Sequence, residues 1–540
     1  MRCVSFFLLV PIFIFSQSKY THADSLQGKV TKEREWWNVL HYELKATFNQ
    51  KDSSVTGINK TTYKVLSSYQ IMQIDLREPM HMDSAVQNHK KCNWRKDGNA
   101  YFINLTSIQN VNEQNQITFY FHGKPRVAKL PPWDGGLIWK KDKNNNPWIS
   151  IACQGMSGSV WFPCKDHMYD EPDSVSFFIT APNDLVVVAG GRLRSAVENS
   201  NVSKTWNWAV VNPINNYSII PYIGKYVNYK DTLNGKSGVL DINYWVLDYN
   251  LEKAKEHFKE TKTMLRCFED WFGKYPFYED GFKLVEAPHL GMEHQSAVAY
   301  GNGYRKGYMG RDLSGTGWGL KWDFIIVHES GHEWFGNNIS VKDVADNWVH
   351  EGFTAYSENL YTEYLFGKEA GADYVIGTRK GIENNAPVIG DYEVNRDGSG
   401  DMYYKAANML HTIRQLVNND SIWKSFLRDI NKNFWHTTTT SREVETYMIN
   451  YLKLDLTKVF DQYLRTTQIP LLEYSWKENV LSIRWTNCVK GFNMPVRINI
   501  GKNSLLFRPT EKWNSLGLPS EEEVSVNRNF YVNIKKTTKK

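Results

Sequence analysis

His328 and His332 stand four residues apart with Glu329 between them, and Glu351 follows after 18 intervening residues. Two histidines at that spacing on a helix lie one above the other on a single face, so both imidazoles can point at one metal ion. A carboxylate brought back beside them gives two nitrogen donors and one oxygen donor. Zinc bound in this way keeps a fourth position open for water, as a catalytic site requires and a structural site does not. Glu329, next to the first histidine, can take a proton from that water, whose pKa zinc lowers from 15.7 to about 7. Glu358 lies seven residues beyond Glu351 on the same helical face. It is expected to hold a ligand histidine in the required tautomer.

Two helices must position these groups. Phe324, Ile325, Val327, Trp334 and Phe335 supply apolar residues around the histidines, and no proline falls between Leu320 and Gly336. The first helix is therefore predicted to run to Gly336-Asn337-Asn338. Gly331, at a cost of about 1 kcal/mol relative to alanine, marks a close approach by the metal side or by a packed neighbour. A second helical run from about Asn347 to Leu365, with Trp348, Phe353, Tyr356, Leu360 and Leu365 as its apolar members, returns Glu351 to the histidines. The competing reading, histidines satisfied in a core beside solvated Glu329 and Glu333, leaves Glu351 unexplained.

The pattern His328-Glu329-x-x-His332-x-Trp334-Phe335-Gly336-Asn337, followed by Trp348-x-x-Glu351-Gly352-Phe353, resembles the gluzincin aminopeptidases, the group that includes aminopeptidase N and leukotriene hydrolase. Further stretches fit the resemblance. Leu290-Gly291-Met292-Glu293-His294 is similar to the family's Gly-x-Met-Glu-Asn segment, with Leu290 and His294 as departures. The resemblance implies that Glu293 binds the free ammonium of a substrate by a charge-assisted hydrogen bond, while the Gly291-Met292 backbone pairs with the extended peptide like an added strand. The alternative is a surface pair of Glu293 and His294. Tyr403-x-Lys405 aligns with the family's Tyr-x-Lys-Gly, Ala406 replacing glycine. Tyr403 is thereby implied as the phenol that stabilises a tetrahedral oxyanion, with Tyr404 as the neighbour most easily confused with it and core packing as the alternative for both. Gln154-Gly155-Met156, ahead of Trp161-Phe162-Pro163-Cys164, resembles the segment through which the amino-terminal domain reaches the active site. Gln154 would then contact the first residue of a bound peptide; otherwise it belongs to a polar edge loop.

The remainder of the chain sets bounds. It has 540 residues, enough for two or three domains with large cores. With 23% charged and 41% hydrophobic residues and a net charge of +6, the composition excludes a disordered chain and a multi-span membrane protein, and gives no sign of nucleic-acid binding. The closing lysines, Lys535, Lys536, Lys539 and Lys540, read as a solvated tail. Arg2, the apolar run Val4 to Phe15 and the small residues after it read as a secretory signal peptide cleaved between Ser16 and Ala23. Twelve apolar residues are short for a span of about 20, so the mature chain is expected to be free in an extracytoplasmic compartment, secreted or periplasmic. Of the cysteines, Cys92, Cys153, Cys164, Cys267 and Cys488 remain after cleavage, an odd number with no CxxC spacing. Neither a disulfide framework nor a cysteine metal site is indicated.

Short alternating segments such as Tyr101–Leu105, Ile117–Phe121 and Val175–Ile179 predict an all-β domain over residues 24–247. Helical periodicity begins near Leu251, placing a mainly helical zinc-peptidase domain over 248–470. Strand character returns in a small β module over 471–540. The fold class expected is therefore multidomain α+β, with thermolysin-like architecture in the middle domain as the resemblance implies. The resemblance also implies a short form without the long helical domain of larger relatives, one zinc ion per chain, and peptides with a free amino terminus as substrates. A zinc endopeptidase would share the metal site but need no ammonium anchor. A zinc-retaining peptide-binding protein would have lost catalysis, which the intact Glu329 and Tyr403 argue against. Leukotriene-type epoxide hydrolysis would require a deep apolar channel.

Overall fold

The computed structural model describes residues 20–538. The signal-peptide reading lies largely outside the described residues, as do Lys539 and Lys540. From Thr21 the chain forms two short helices, His22–Gly28 and Lys32–Glu35, where strands were expected. Thr21 and Asp24 close a reciprocal capping box on the first. Arg34 is fully buried and pairs with Asp75 at 2.7 Å, which ties this segment to the sheet.

The long strand Trp37–Asn49 shows how the β domain packs. Val39 faces the core, a register shift follows between Val39 and His41, and then Tyr42, Leu44, Ala46 and Phe48 alternate inward. The extra residue at the bulge resets the two-residue period, so the apolar set stays on one face. This strand lies in the middle of a ten-stranded sheet, antiparallel to Ser54–Val65 and parallel to Ser174–Pro182. A four-stranded sheet of Val186–Ala189, Pro221–Gly224, Pro147–Ala152 and Gly136–Lys141 packs with it over one core containing Trp36, Trp161 and Phe162.

Strands Tyr226–Gly235 and Gly238–Leu247 correct the expected boundary at 247/248. They belong to a five-stranded sheet with Phe282–Glu286, Val298–Tyr300 and, at the edge, Gly291–Met292. Ile242 pairs in parallel with Phe282, and Leu240, Ile242 and Tyr244 enter the core of the helical domain. The division therefore falls near residue 225. The helix read from Leu251 to Phe272 is two, Leu251–His257 and Glu260–Phe272, turning at Phe258.

Helices Trp348–Phe366, Lys368–Gly377, Tyr404–Val417, Asp420–Asn433, Ser441–Leu452 and Thr457–Arg465 complete the helical domain. Thr440 and Glu443 form the expected capping box. The final β module is two small sheets whose residues Leu472, Leu481 and Trp485 share the core of the helical domain. Lys535 and Lys536 are not a free tail: they end the edge strand Asn533–Lys536, paired with Leu471–Lys477, and keep their side chains exposed. An exposed edge carrying lysines resists pairing with other chains. All five cysteines among the described residues are free thiols.

Candidate active site

The first ligand helix, Phe324–Gly331, is buried on every side. Its amino end is fixed by Asp323, whose Oδ1 accepts from the backbone N–H of Ile325 at 2.9 Å and of Ile326 at 3.3 Å, while Oδ2 accepts from Tyr300 at 2.8 Å. Regular α-helix stops at Gly331, about a turn before the expected end. Beyond it the bonds tighten (Glu333 N–H to Ser330 O, 3.2 Å) and then lengthen in register (Asn337 N–H to His332 O, 2.9 Å; Asn338 N–H to Glu333 O, 3.1 Å). The chain thus remains coiled through His332 while changing pitch. Gly331 marks a packed neighbour: a Cβ there would lie 2.7 Å from Ser357 Oγ on the second ligand helix, Trp348–Phe366.

The crossing brings His328, His332 and Glu351 together, with one ligand atom from each within 4.8 Å of the others. Glu351 Oε2 lies 3.6 Å from His328 Nε2 and 3.3 Å from His332 Nε2, and is buried with no hydrogen bond formed to it among the described residues. The opposite ring nitrogens are occupied. His328 Nδ1 donates to Glu358 Oε1 at 2.7 Å, and Glu358 Oε2 accepts from Tyr374 at 2.7 Å. His332 Nδ1 donates to the Phe335 carbonyl at 3.0 Å. Both Nε2 atoms are therefore turned toward Glu351, within ion-pair distance of that carboxylate, and each would give up its proton there to a metal ion. Although burial opposes each charge, Glu351 and Glu293 push His332 up to about 9, and the two histidines hold Glu351 well below the usual carboxylate range. Carboxylates that hold protons on two buried imidazoles are placed to hold a divalent cation in their stead. Two imidazoles, one carboxylate and an orphaned buried oxygen fit zinc.

Glu329, Glu293 and His332 form a second close group. Burial pushes Glu329 up to about 7, a value suited to exchanging protons near neutrality. Gly291 sits directly against it: a Cβ at this position would lie 2.7 Å from Glu329 Oε1. Gly291–Met292 is the edge strand of its sheet, so one side of its backbone is unpaired by any strand among the described residues. Glu293 and His294 are buried, at 3% and 1% exposure, which excludes the surface-pair reading. Glu293 Oε1 has no hydrogen-bond partner among the described residues. His294 turns inward, its Nδ1 2.6 Å from the Tyr222 hydroxyl, which itself donates to Ala297 O.

Tyr403 follows the turn Gly400–Met402, and its ring stacks on His328 with centroids 6.0 Å apart. Burial, then Glu351 and Glu293, push its hydroxyl well above the ordinary phenol value, so it stays a proton donor. Tyr403, Tyr404 and Gln154 all line one cavity of about 810 Å³ together with the three metal-site residues, Glu293 and Glu329. Gln154 comes from the β domain, so the cavity lies between the first two domains.

Several participants were not legible in the sequence. Asn337 donates to the Glu293 carbonyl at 2.8 Å and accepts from Asn215 of the β domain at 3.1 Å, linking the ligand segment to Glu293 and to the neighbouring domain. Its place after Gly336 was the available signal. Asp397, pushed up to about 6 by burial and Glu351, lines the cavity and accepts from Asn347 at 2.5 Å. Trp133 reaches the cavity from the β domain.

Residues 257–463 match the Peptidase family M1 domain. Over 352 residues the chain is 24% identical to leukotriene A-4 hydrolase of Xenopus laevis, covering 60% of this chain and 53% of that protein. It is 23% identical over 287 residues to endoplasmic reticulum aminopeptidase 1 of Mus musculus, covering 50% of this chain and 30% of that protein. The chain thus spans about half or less of these curated relatives. An M1 zinc metallopeptidase from Deinococcus radiodurans superposes with a TM-score of 0.68 at 19% identity, over 81% of this chain and 96% of that one.

Proposed function

We propose, on the match of residues 257–463 to the Peptidase family M1 domain, that this gluzincin-like chain removes amino-terminal residues from peptides by zinc-dependent hydrolysis in an extracytoplasmic compartment. The observation that carries this reading is Glu293: a buried carboxylate oxygen without a partner, within reach of Glu329 and His332. A buried carboxylate oxygen that receives no hydrogen bond is costly until a donor arrives to satisfy it. A substrate ammonium supplies that donor, and a peptide held by its amino end places its first peptide bond beside Glu329. An endopeptidase would have no use for such a group.

His328, His332 and Glu351 would hold the zinc ion, which would supply Lewis acidity when bound. Glu329 accepts the proton of the attacking water and delivers it to the departing amine. The Tyr403 hydroxyl donates to the carbonyl oxygen as negative charge develops on it. The edge strand Gly291–Met292 offers backbone pairing to the extended substrate, and Gln154 lines the same cavity from the β domain. The extracytoplasmic assignment is supported by Arg2 and the apolar run after it. No helix among the described residues is long and apolar enough to cross a membrane.

The test is hydrolysis of aminoacyl fluorogenic amides by purified protein with zinc supplied or chelated, beside Glu329→Gln. Zinc-dependent release that disappears in Glu329→Gln is expected. No release from any amide by zinc-loaded wild type would overturn the proposal.

A further inference from the structure

Residues 126–137 form an arch at the rim of the catalytic cavity. Its feet are joined by backbone bonds, Ala128 N–H to Leu137 O at 2.9 Å and Leu137 N–H to Arg126 O at 2.8 Å. Inside it, the Asp134 carboxylate accepts from the N–H groups of Lys129 and Leu130 at 2.7 and 2.8 Å, and the Arg126 guanidinium donates to the carbonyls of Asp134 and Gly135, both at 3.2 Å. The polar groups are consumed in holding the shape. Beside the exposed Arg126 and Lys129, the arch holds two large apolar side chains in water: Leu130 and Trp133 are each 68% exposed. Side chains of that size held in water by an internally satisfied loop mark a ligand surface.

The arch borders the cavity that contains Glu293 and Glu329. Gly135 takes a positive φ of 67°, and a Cβ on it would meet Met156 Sδ at 2.8 Å, so the arch rests flush on the residue two beyond Gln154. The strand leaving it, Gly136–Lys141, is tied to the segment that leads into Glu293, with Lys140 Nζ donating to Pro288 O at 2.7 Å; its partner strand adds Ser150 Oγ, 3.2 Å from His289 Nε2. Trp133, Met156, Leu290 and Met292 thereby line the same cavity as the amine anchor. No lysine or arginine is among its described lining residues, so an acidic side chain would find no lysine or arginine to pair with there.

Resting on the aminopeptidase reading above, we propose that Trp133 is a specificity-determining residue that packs on the side chain of the substrate's first residue, and that the preferred substrates begin with a large apolar or aromatic residue. The experiment compares wild type, Trp133→Ala and Trp133→Phe on leucyl, phenylalanyl, alanyl and glutamyl fluorogenic amides. Each amide carries a single residue, so any effect belongs to the first position. Wild type is expected to favour the leucyl and phenylalanyl amides. Trp133→Ala should lose about tenfold in kcat/KM on these two, chiefly through KM, and less than about twofold on the alanyl amide. Trp133→Phe should retain most of the preference, which a general loss of structure would not permit. Equal losses on all amides, no loss on any, or wild-type preference for the glutamyl amide would overturn the assignment while leaving the aminopeptidase reading intact. Absence of hydrolysis of every amide by the wild type would remove both.

Discussion

Glu358 Oε1 lies 2.7 Å from His328 Nδ1, and both groups are buried. The carboxylate fixes the imidazole with its other nitrogen toward Glu351, and the Tyr374 hydroxyl, on Glu358 Oε2 at 2.7 Å, fixes the carboxylate in turn. Glu358→Ala leaves all three proposed zinc ligands in place. It is expected to weaken zinc binding by about 10–100-fold. Competition for zinc against a chelator of known affinity measures this, and unchanged affinity would mean that His328 is oriented by packing alone.

Zinc binding itself should be pH-dependent. Without the ion, His332 is held up to about 9 by Glu351 and Glu293 and is protonated at neutral pH. Binding must displace that proton, so affinity is expected to fall as pH drops from 8 to 6, with proton release seen by calorimetry in buffers of different ionisation enthalpy. Affinity independent of pH across this range would contradict the assigned ligand set.

Tyr403→Phe removes a hydroxyl and keeps the ring stacked on His328. If the phenol serves the oxyanion, kcat should fall by about 10²–10³-fold while KM and zinc content change little. A fall confined to KM would instead make Tyr403 a ground-state contact.

The chemistry of the metal helices was legible because it is written in short covalent spacings: His328 to His332 is one helical turn, and Glu351 needs only a reversal and a second helix. The β character read over residues 24–247 took in the strands of Tyr226–Leu247 as well. It could not reveal their partner, because the pairing of Ile242 with Phe282 is non-local, and the domain boundary was misplaced for that reason. The length of the first ligand helix was hidden similarly. Its change of pitch after Gly331 accompanies the packing of Ser357 and Thr354 from another helix against that residue. Trp133 lies in a stretch that reads as an ordinary turn, and its importance arises only when Met156 and the Lys140–Pro288 contact place it at the cavity.

Lys283 is a buried lysine outside the reacting centre. Its Nζ donates to Gly191 O at 2.5 Å and to Asp280 O at 3.4 Å. Burial pushes it down to about 7, against the opposing pull of Asp280 and Glu333, with Arg192 adding to the depression. Between about pH 7 and the ordinary lysine value near 10.4, the unfolded chain binds more protons than the folded one, so this group makes stability rise with pH by at most about 1.4 kcal/mol per pH unit. Lys283→Met removes this contribution. The stability difference between variant and wild type in urea is therefore expected to shift in favour of wild type as pH is raised from 7 to 9.5. A constant difference would show that the ammonium is not depressed.

The central claim is that Glu293 reads a free amino terminus. Its most direct test is the ratio of kcat/KM for a tripeptide to that for its N-acetylated form, measured with zinc-loaded wild type and with Glu293→Gln. A large ratio in wild type, collapsing in Glu293→Gln through loss on the free peptide while zinc content is unchanged, is the result expected. Equal cleavage of the free and acetylated peptides by wild type would contradict the account and make the enzyme an endopeptidase.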